Sequence, residues 1–210
     1  MIDDAALERE MIETVEALWP ESFEAVHRVI LTASRRQWDL NGFVIARAEG
    51  DLRLRATSSM AGTLFDAVRA GGHEPQMLSR SPRFRERWAL EGALVDAEAI
   101  HLMRPSSSAR LTRRPDGRAA LTDDRADGGR ADFIFDSNPL RLAEVALSRD
   151  GLLERRVTFR GERVFPGWPT PVPSDVTMLN SGLGYTLHVQ LVALRSGPIP
   201  DERFHPEVIP

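Results

Sequence analysis

Regular alternation of apolar and polar side chains is the feature that most restricts how this chain can fold. The longest run extends from Tyr185 to Ala193, where every second residue is apolar. A period of two places successive side chains on opposite faces of a β-strand, so that one face packs on a core while the other meets water. Further strands are expected at 23–33, 36–48, 52–56, 63–69, 74–79, 109–113, 118–122, 132–136, 141–148, 156–160 and 174–180.

Residues typical of tight turns separate these runs, for example at Gly71-Gly72, Asp150-Gly151 and Ser181-Gly182. Short hairpins join antiparallel neighbours, whereas a parallel sheet requires a longer crossover between successive strands. The sequence therefore predicts an α+β fold that is mainly antiparallel β, with about 10–11 strands. The chain length of 210 residues fits a single domain over 1–210.

Two segments have helical periodicity instead of alternation. A helix is expected over 4–18, where apolar residues recur at every third or fourth position and Asp3 or Asp4 can cap the N-terminus. A second helix is expected over 82–103, because Ser81-Pro82 provides a favourable N-cap and first helical residue. One helix thus precedes the strands and the other interrupts them.

Two further segments lack either periodicity. Residues 122–131 are polar and rich in Gly and Asp, which indicates a flexible loop. Residues 165–174 contain four prolines, so an extended connector is expected there rather than a hydrogen-bonded strand.

The composition excludes several classes of protein and of site. The formal net charge of -4 provides no basic surface for nucleic acid, and the absence of cysteine excludes disulfides and thiolate sites. The N-terminal segment is acidic and amphipathic, unlike a signal peptide, and no stretch approaches the roughly 18 apolar residues of a membrane span.

The sequence contains no recognisable catalytic signature. The five histidines are scattered without metal-binding spacing, so neither a metal nor a cofactor is expected. Ser106 to Ser108 lie outside any Gly-x-Ser-x-Gly motif, and Asp123-Asp124 stand beside arginines as solvated surface carboxylates do. We therefore expect a protein that is not an enzyme.

Residues 35–72 resemble the opening sheet of the LolA/LolB-type lipoprotein carriers and receptors. In those proteins a strand with glycine and apolar residues, here Leu40 to Ile45, leads to a hairpin and then to a small-apolar-Gly turn, here Ser59 to Gly62. Residues 153–210 are similar to the closing pattern of the same proteins, which ends in a Pro-x-x-x-Phe-x-Pro tail, here Pro200 to Pro206. These two segments cover somewhat under half of the chain.

The resemblance implies an unclosed β-barrel whose open mouth is covered by helices. It also implies an apolar cavity for an acyl chain or another hydrophobic small molecule, in the periplasm or cell envelope of a Gram-negative bacterium. The family's receptors carry a lipobox cysteine that this chain lacks, which favours a soluble carrier, and we expect a monomer.

The residues expected to line the cavity are apolar positions of the strands and of the second helix. The wall would comprise Trp38, Leu40, Phe43, Ile45, Leu54, Leu64, Phe133, Phe135, Val157, Phe159, Tyr185, Leu187 and Val189. The helix would contribute Phe84, Trp88 and Leu94, and Met60 would be an exposed apolar loop tip. Because 43–45 is apolar throughout, alternation leaves open which of its side chains face the cavity.

Two alternative functions remain open at the level of the sequence. The same residues can complete a filled core, in which case the protein is a structural or interaction subunit of an envelope complex. The third hypothesis is a hydrolase on a β-rich scaffold, and it requires two carboxylates that converge in one cleft.

Overall fold

A computed structural model describes residues 3–47, 49–82, 87–125 and 128–204, with side chains omitted for 87–91. One antiparallel sheet includes strands from residue 22 to residue 196. Within the described ranges, neither helix is long and apolar enough to cross a membrane.

The sheet contains twelve strands, one more than the upper limit of the sequence-based prediction. In chain order they are β1 Ser22–Ala33, β2 Arg36–Arg47, β3 Leu52–Ser58, β4 Gly62–Arg69, β5 Gln76–Arg80, β6 Arg110–Arg113, β7 Ala119–Asp124, β8 Gly129–Ser137, β9 Leu140–Arg149, β10 Leu152–Phe165, β11 Trp168–Asn180 and β12 Tyr185–Ser196.

The strand order shows why the barrel stays unclosed. Across the sheet the order is β5-β4-β3-β2-β1-β12-β11-β10-β9-β8-β7-β6, so the first and last strands of the chain pair at the centre. The edges are β5 and β6, which are hydrogen-bonded to inner neighbours and not to each other in the described residues. The predicted antiparallel, unclosed α+β fold is confirmed.

Two α-helices accompany the sheet. Helix α1 spans Asp4–Glu16, and the Asp3 side chain caps it by accepting a hydrogen bond from the backbone N–H of Ala5. Helix α2 spans Arg87–His101 and connects the two edge strands, β5 and β6. Residues 83–86, where the sequence places the beginning of the second helix, lie outside the described residues.

The flexible loop predicted for 122–131 is wrong. Residues up to Asp124 belong to β7, and residues from Gly129 belong to β8. A tight hairpin joins these strands, with the backbone N–H of Arg125 donating to Gly129 O over 2.8 Å. The polar composition reflects the exposed face and the turn of a hairpin, and Asp123 is itself buried.

The extended connector predicted for 165–174 is also wrong. Strand β10 continues to Phe165, and β11 begins at Trp168 and pairs with it. Pro169, Pro171 and Pro173 alternate, so their missing N–H groups lie on one side of the strand. Because the pairing with β12 begins only at Asp175, this segment of β11 has one hydrogen-bonded neighbour and tolerates the prolines.

The apolar core is divided into two clusters on the helix-covered face and a small third cluster on the opposite face. The first cluster packs β1–β4 and β12 against α2, and includes Val44 and Leu94. The second packs β7–β11 against α1, and includes Met11 and Phe133. The third lies on the opposite face and contains Ile45, Val68, Ala70, Ile199 and Phe204.

Candidate functional site

An apolar cavity lies between α2 and the strands β1–β4 and β12. Its volume is about 90 Å³. Val29 of β1 pairs with Leu40 of β2 on one side and with Val189 of β12 on the other, so one row across three strands contributes three wall residues. Gly42 lies opposite His27 in the ladder, and its missing side chain leaves this part of the wall open.

Five of the predicted wall residues lie at this cavity. They are Leu40, Leu54, Tyr185, Leu187 and Val189. Helix α2 closes the cavity with Ala93, Asp96, Ala97, Ile100 and His101. Two of these side chains, Ala93 and Ala97, are small, which allows α2 to approach the sheet closely.

Other predicted wall residues lie on the helix-covered face but away from the cavity lining. Trp38, Leu64 and Leu94 belong to the cluster beneath α2. Phe133, Phe135, Val157 and Phe159 belong to the cluster beneath α1, and the first three are fully buried. The structure places these side chains in the packed core, and their role in ligand binding stays a prediction.

Phe43 and Ile45 are corrections, because both lie on the face opposite to the cavity. Phe43 is 39% exposed, and Ile45 packs in the small cluster with Phe204. Leu40 and Val44 face the cavity, so alternation turns the odd-numbered neighbours away. Three consecutive apolar residues conceal this parity in the sequence.

The remaining predicted positions are in or near α2 and in one turn. Met60 is 90% exposed in the turn between β3 and β4. Trp88 lies in α2 without a described side chain, and Phe84 lies outside the described residues.

A buried polar network at Asp96 holds α2 against the sheet. Arg155 Nε donates to Asp96 Oδ1 over 2.8 Å, and Asn180 Nδ2 donates to the same oxygen over 3.1 Å. Tyr185 donates its hydroxyl proton to Asp96 Oδ2. Asp96 is 1% exposed, and its two oxygens accept hydrogen bonds from three elements of the sheet.

Burial and the hydrogen bonds act in opposite directions on this network. Burial raises the pKa of Asp96 above its ordinary value, although the donors Tyr185, Arg155 and Asn180 work against this shift. Burial, together with the neighbouring Asp96, also raises the pKa of Tyr185. The tyrosine therefore stays protonated and acts as a donor to the carboxylate.

Gly92 permits the close approach of α2 to this network. A Cβ atom at this position would lie 2.5 Å from the Tyr185 hydroxyl oxygen and 2.8 Å from Leu183 Cδ1. Neither distance is compatible with a side chain, so only glycine allows the helix to approach Tyr185 this closely.

Two buried histidines form the second polar feature of the cavity. The rings of His27 in β1 and His101 in α2 have centroids 5.0 Å apart, and each residue is 2% exposed. Trp19 contacts the edge of the His101 ring, and its Nε1 donates to the Ile100 carbonyl over 3.1 Å. His27 Nε2 and His101 Nδ1 have no hydrogen-bond partner among the described residues.

Burial keeps both imidazoles neutral at physiological pH. It lowers the pKa of His27 to about 4. Burial, with smaller contributions from His27 and Arg104, also lowers the pKa of His101 well below its ordinary value. Among the described residues no group of three His, Cys, Asp or Glu side chains is arranged to hold a metal ion.

The sequence indicates the burial of His27, although this residue belongs to no motif. In β1 the buried positions Phe23, Ala25, Leu31 and Ala33 share the parity of His27, so alternation alone turns this histidine inward. Asp96 and His101 lack such a signal, because their partners lie in distant strands.

The comparisons with known proteins concern the fold. No protein-family model and no curated protein sequence matches the chain. A LolA superfamily protein from Nitrosomonas europaea is similar in structure, with 13% identity, a TM-score of 0.62 and coverage of 93% of this chain and 96% of that one.

Two further solved structures are similar over nearly the whole chain. A DUF1329 family protein from Desulfovibrio piger has 9% identity and a TM-score of 0.63, with coverage of 97% of this chain and 98% of that one. A putative outer membrane lipoprotein-sorting protein domain from Vibrio parahaemolyticus has 11% identity and a TM-score of 0.53, with coverage of 95% and 97%. This chain therefore has the fold of the LolA superfamily, as the resemblance at 35–72 and 153–210 predicts.

Proposed function

We propose that this protein is a non-enzymatic carrier that holds an acyl chain or another hydrophobic ligand in the bacterial cell envelope, with lipoprotein trafficking as one role. The observation that carries the proposal is an apolar cavity beneath a helix that bridges the two free edges of an unclosed sheet. The similarity to a putative lipoprotein-sorting domain supports the same reading. Each buried methylene group contributes about 0.8 kcal/mol, so an acyl chain can be held without covalent chemistry.

The size of the cavity indicates that α2 must move when a ligand enters. A volume of about 90 Å³ is smaller than the roughly 300–1,000 Å³ of typical ligand sites. No ladder of the sheet passes through α2, so the helix can shift without breaking strand pairing. Its polar attachments include the Asp96 network, the hydrogen bond from Trp19 to the Ile100 carbonyl, and an ion pair between Arg69 and Glu98, with Nη1 and Oε2 2.8 Å apart.

Filling the cavity tests the proposal. The substitution Ala97→Leu adds three carbon atoms at a wall position of α2 and is expected to abolish binding of the uncharged fluorescent probe N-phenyl-1-naphthylamine. Val95→Leu is the matched control, because Val95 is 39% exposed on the same helix and should leave probe binding unchanged. Mass spectrometry of a solvent extract of the purified protein should recover an acyl lipid.

A second candidate is the interaction subunit with a filled core, which the small cavity favours. If the wild-type protein neither binds the probe nor yields a lipid, the carrier proposal fails and this candidate gains support. The hydrolase hypothesis requires paired carboxylates, and Asp96 is the single carboxylate among the described residues that line the cavity.

A further inference from the structure

The described polar side chains that line the cavity fall into two groups, one with hydrogen-bond partners and one with unpartnered ring nitrogens. Both carboxylate oxygens of Asp96 have hydrogen-bond donors, since Oδ1 accepts from Arg155 and Asn180 and Oδ2 accepts from Tyr185. His27 and His101 line the same space, and each has a buried ring nitrogen without a partner among the described residues. A buried polar atom without a hydrogen bond raises the free energy of the protein. These two nitrogens therefore favour a ligand that forms hydrogen bonds with them.

We propose that His27 and His101 form a head-group subsite for an uncharged hydroxyl, so that the ligand is an apolar chain ending in an alcohol. This inference rests on the carrier function proposed above and adds the chemical class of the ligand.

The geometry of the pair fits a group of this kind. The two ring centroids are 5.0 Å apart and the rings are inclined at 44°, so the rings contact each other and line one part of the cavity, where a single hydroxyl placed beside the pair can approach both. A neutral imidazole has one donor and one acceptor nitrogen, and a hydroxyl can both donate and accept. The rest of the wall is apolar, including Val29, Val44 and Leu187, which accommodates the chain.

A charged head group fits less well. Among the described lining residues there is no arginine, and the nearby Arg155 already donates to Asp96. A carboxylate placed between two neutral imidazoles would be buried without a counter-ion, which is strongly unfavourable. The subsite therefore discriminates against ionised fatty acids.

The test compares two ligands of equal chain length, dodecan-1-ol and 1-chlorododecane, as competitors of N-phenyl-1-naphthylamine. In the double variant His27→Leu/His101→Leu, the affinity for dodecan-1-ol should fall about tenfold, the size expected for one or two net hydrogen bonds, while that for 1-chlorododecane stays equal or rises. His188→Leu is the control, because this histidine is half-exposed and pairs with Asp175 outside the cavity. Equal changes for both ligands would overturn the inference while the carrier function stands.

A measurement on the wild-type protein covers the case in which the double variant does not fold. Long-range ¹H–¹⁵N spectra report the ring nitrogens of His27 and His101, and dodecan-1-ol should shift both sets of signals where 1-chlorododecane does not. Unchanged signals, or tighter binding of dodecanoate than of dodecan-1-ol at pH 7.5, would overturn the subsite. A wild-type protein that binds none of these compounds would overturn the subsite and the carrier function together.

Discussion

Burial strongly lowers the pKa of His27 and of His101. Each lies at a position that excludes water, and the groups that face them include Trp19 and Phe23 as aromatic neighbours and Arg104 as a nearby charge. Among the described residues neither histidine forms an ion pair with a carboxylate, and burial disfavours the charged form of both. Protonation of either histidine therefore opposes the folded state.

This leads to a prediction about acid stability. His27 titrates at 6.5 when unfolded and at about 4 when folded, so between these values the unfolded chain binds a proton that the folded chain does not. The buried, neutral His27 makes its full contribution to the free energy of unfolding above pH 6.5. About 3 kcal/mol of this free energy is lost as the pH falls to 4. His101 adds to the loss in the same direction.

Urea unfolding measured between pH 7 and pH 4 checks this prediction. The wild-type protein should lose stability steeply, and His27→Leu should flatten the curve. Val95→Leu, which changes an exposed residue without a titratable group, should keep the wild-type slope. A curve for His27→Leu that parallels the wild type would contradict the assignment.

At the scale of elements, α2 is the most informative segment because two buried polar residues interrupt its apolar face. Asp96 and His101 occupy buried positions of the helix, as the apolar residues Leu94 and Ala97 do. The helix gains most of its attachment from long-range contacts, for example from Asp96 to Arg155 and Tyr185. A propensity argument finds such a helix but cannot identify what it touches.

Gly92→Ala tests how closely α2 packs against the sheet at Tyr185. Alanine improves helix propensity by about 1 kcal/mol, yet its Cβ would clash with Tyr185, so we expect a net destabilisation of about 1–3 kcal/mol. Urea unfolding measures the change, and ring signals of Tyr185, the single tyrosine of the chain, report on the local environment. Val95→Ala is the control for propensity alone. A more stable Gly92→Ala protein would show that the helix is not held at this distance.

At the scale of the whole molecule, the helix-covered face is divided between packing and a cavity. Helix α1 packs on the cluster around Phe133 and Val157, whereas most of the buried apolar residues that line the cavity belong to the cluster beneath α2. Met11 is fully buried in the cluster beneath α1 and does not line the cavity. The two halves should therefore respond differently to substitution.

Met11→Ala tests this division. We expect a loss of about 2–5 kcal/mol in the free energy of unfolding, because the substitution leaves a void in packed core. Binding of N-phenyl-1-naphthylamine should be unchanged, measured at a temperature where the variant is folded. Loss of probe binding comparable to that of Ala97→Leu would show that both clusters form one ligand site.

Alternation and turn residues were sufficient to predict the antiparallel sheet and most strand positions, and helical periodicity with capping residues predicted both helices. They failed at 165–174, where the prolines match a strand with one neighbour, and at 122–131, where a polar hairpin has the composition of a loop. Five wall residues, among them Leu54 and Val189, were predicted because each occupies the apolar parity of a clearly alternating strand.

The sequence patterns by themselves predicted an antiparallel sheet with one helix before it and one within it, and the resemblance to LolA/LolB-type proteins implied that the sheet is unclosed. Only the tertiary structure decided that Phe43 faces away from the cavity, and that Asp96, His27 and His101 meet inside it. The reason is physical. A period of two shows which side chains share a face of a strand, and their polarity indicates which face is buried. Which distant segments meet depends on the pairing of β1 with β12 and on the path of α2 between the two edges, and no local pattern contains that information.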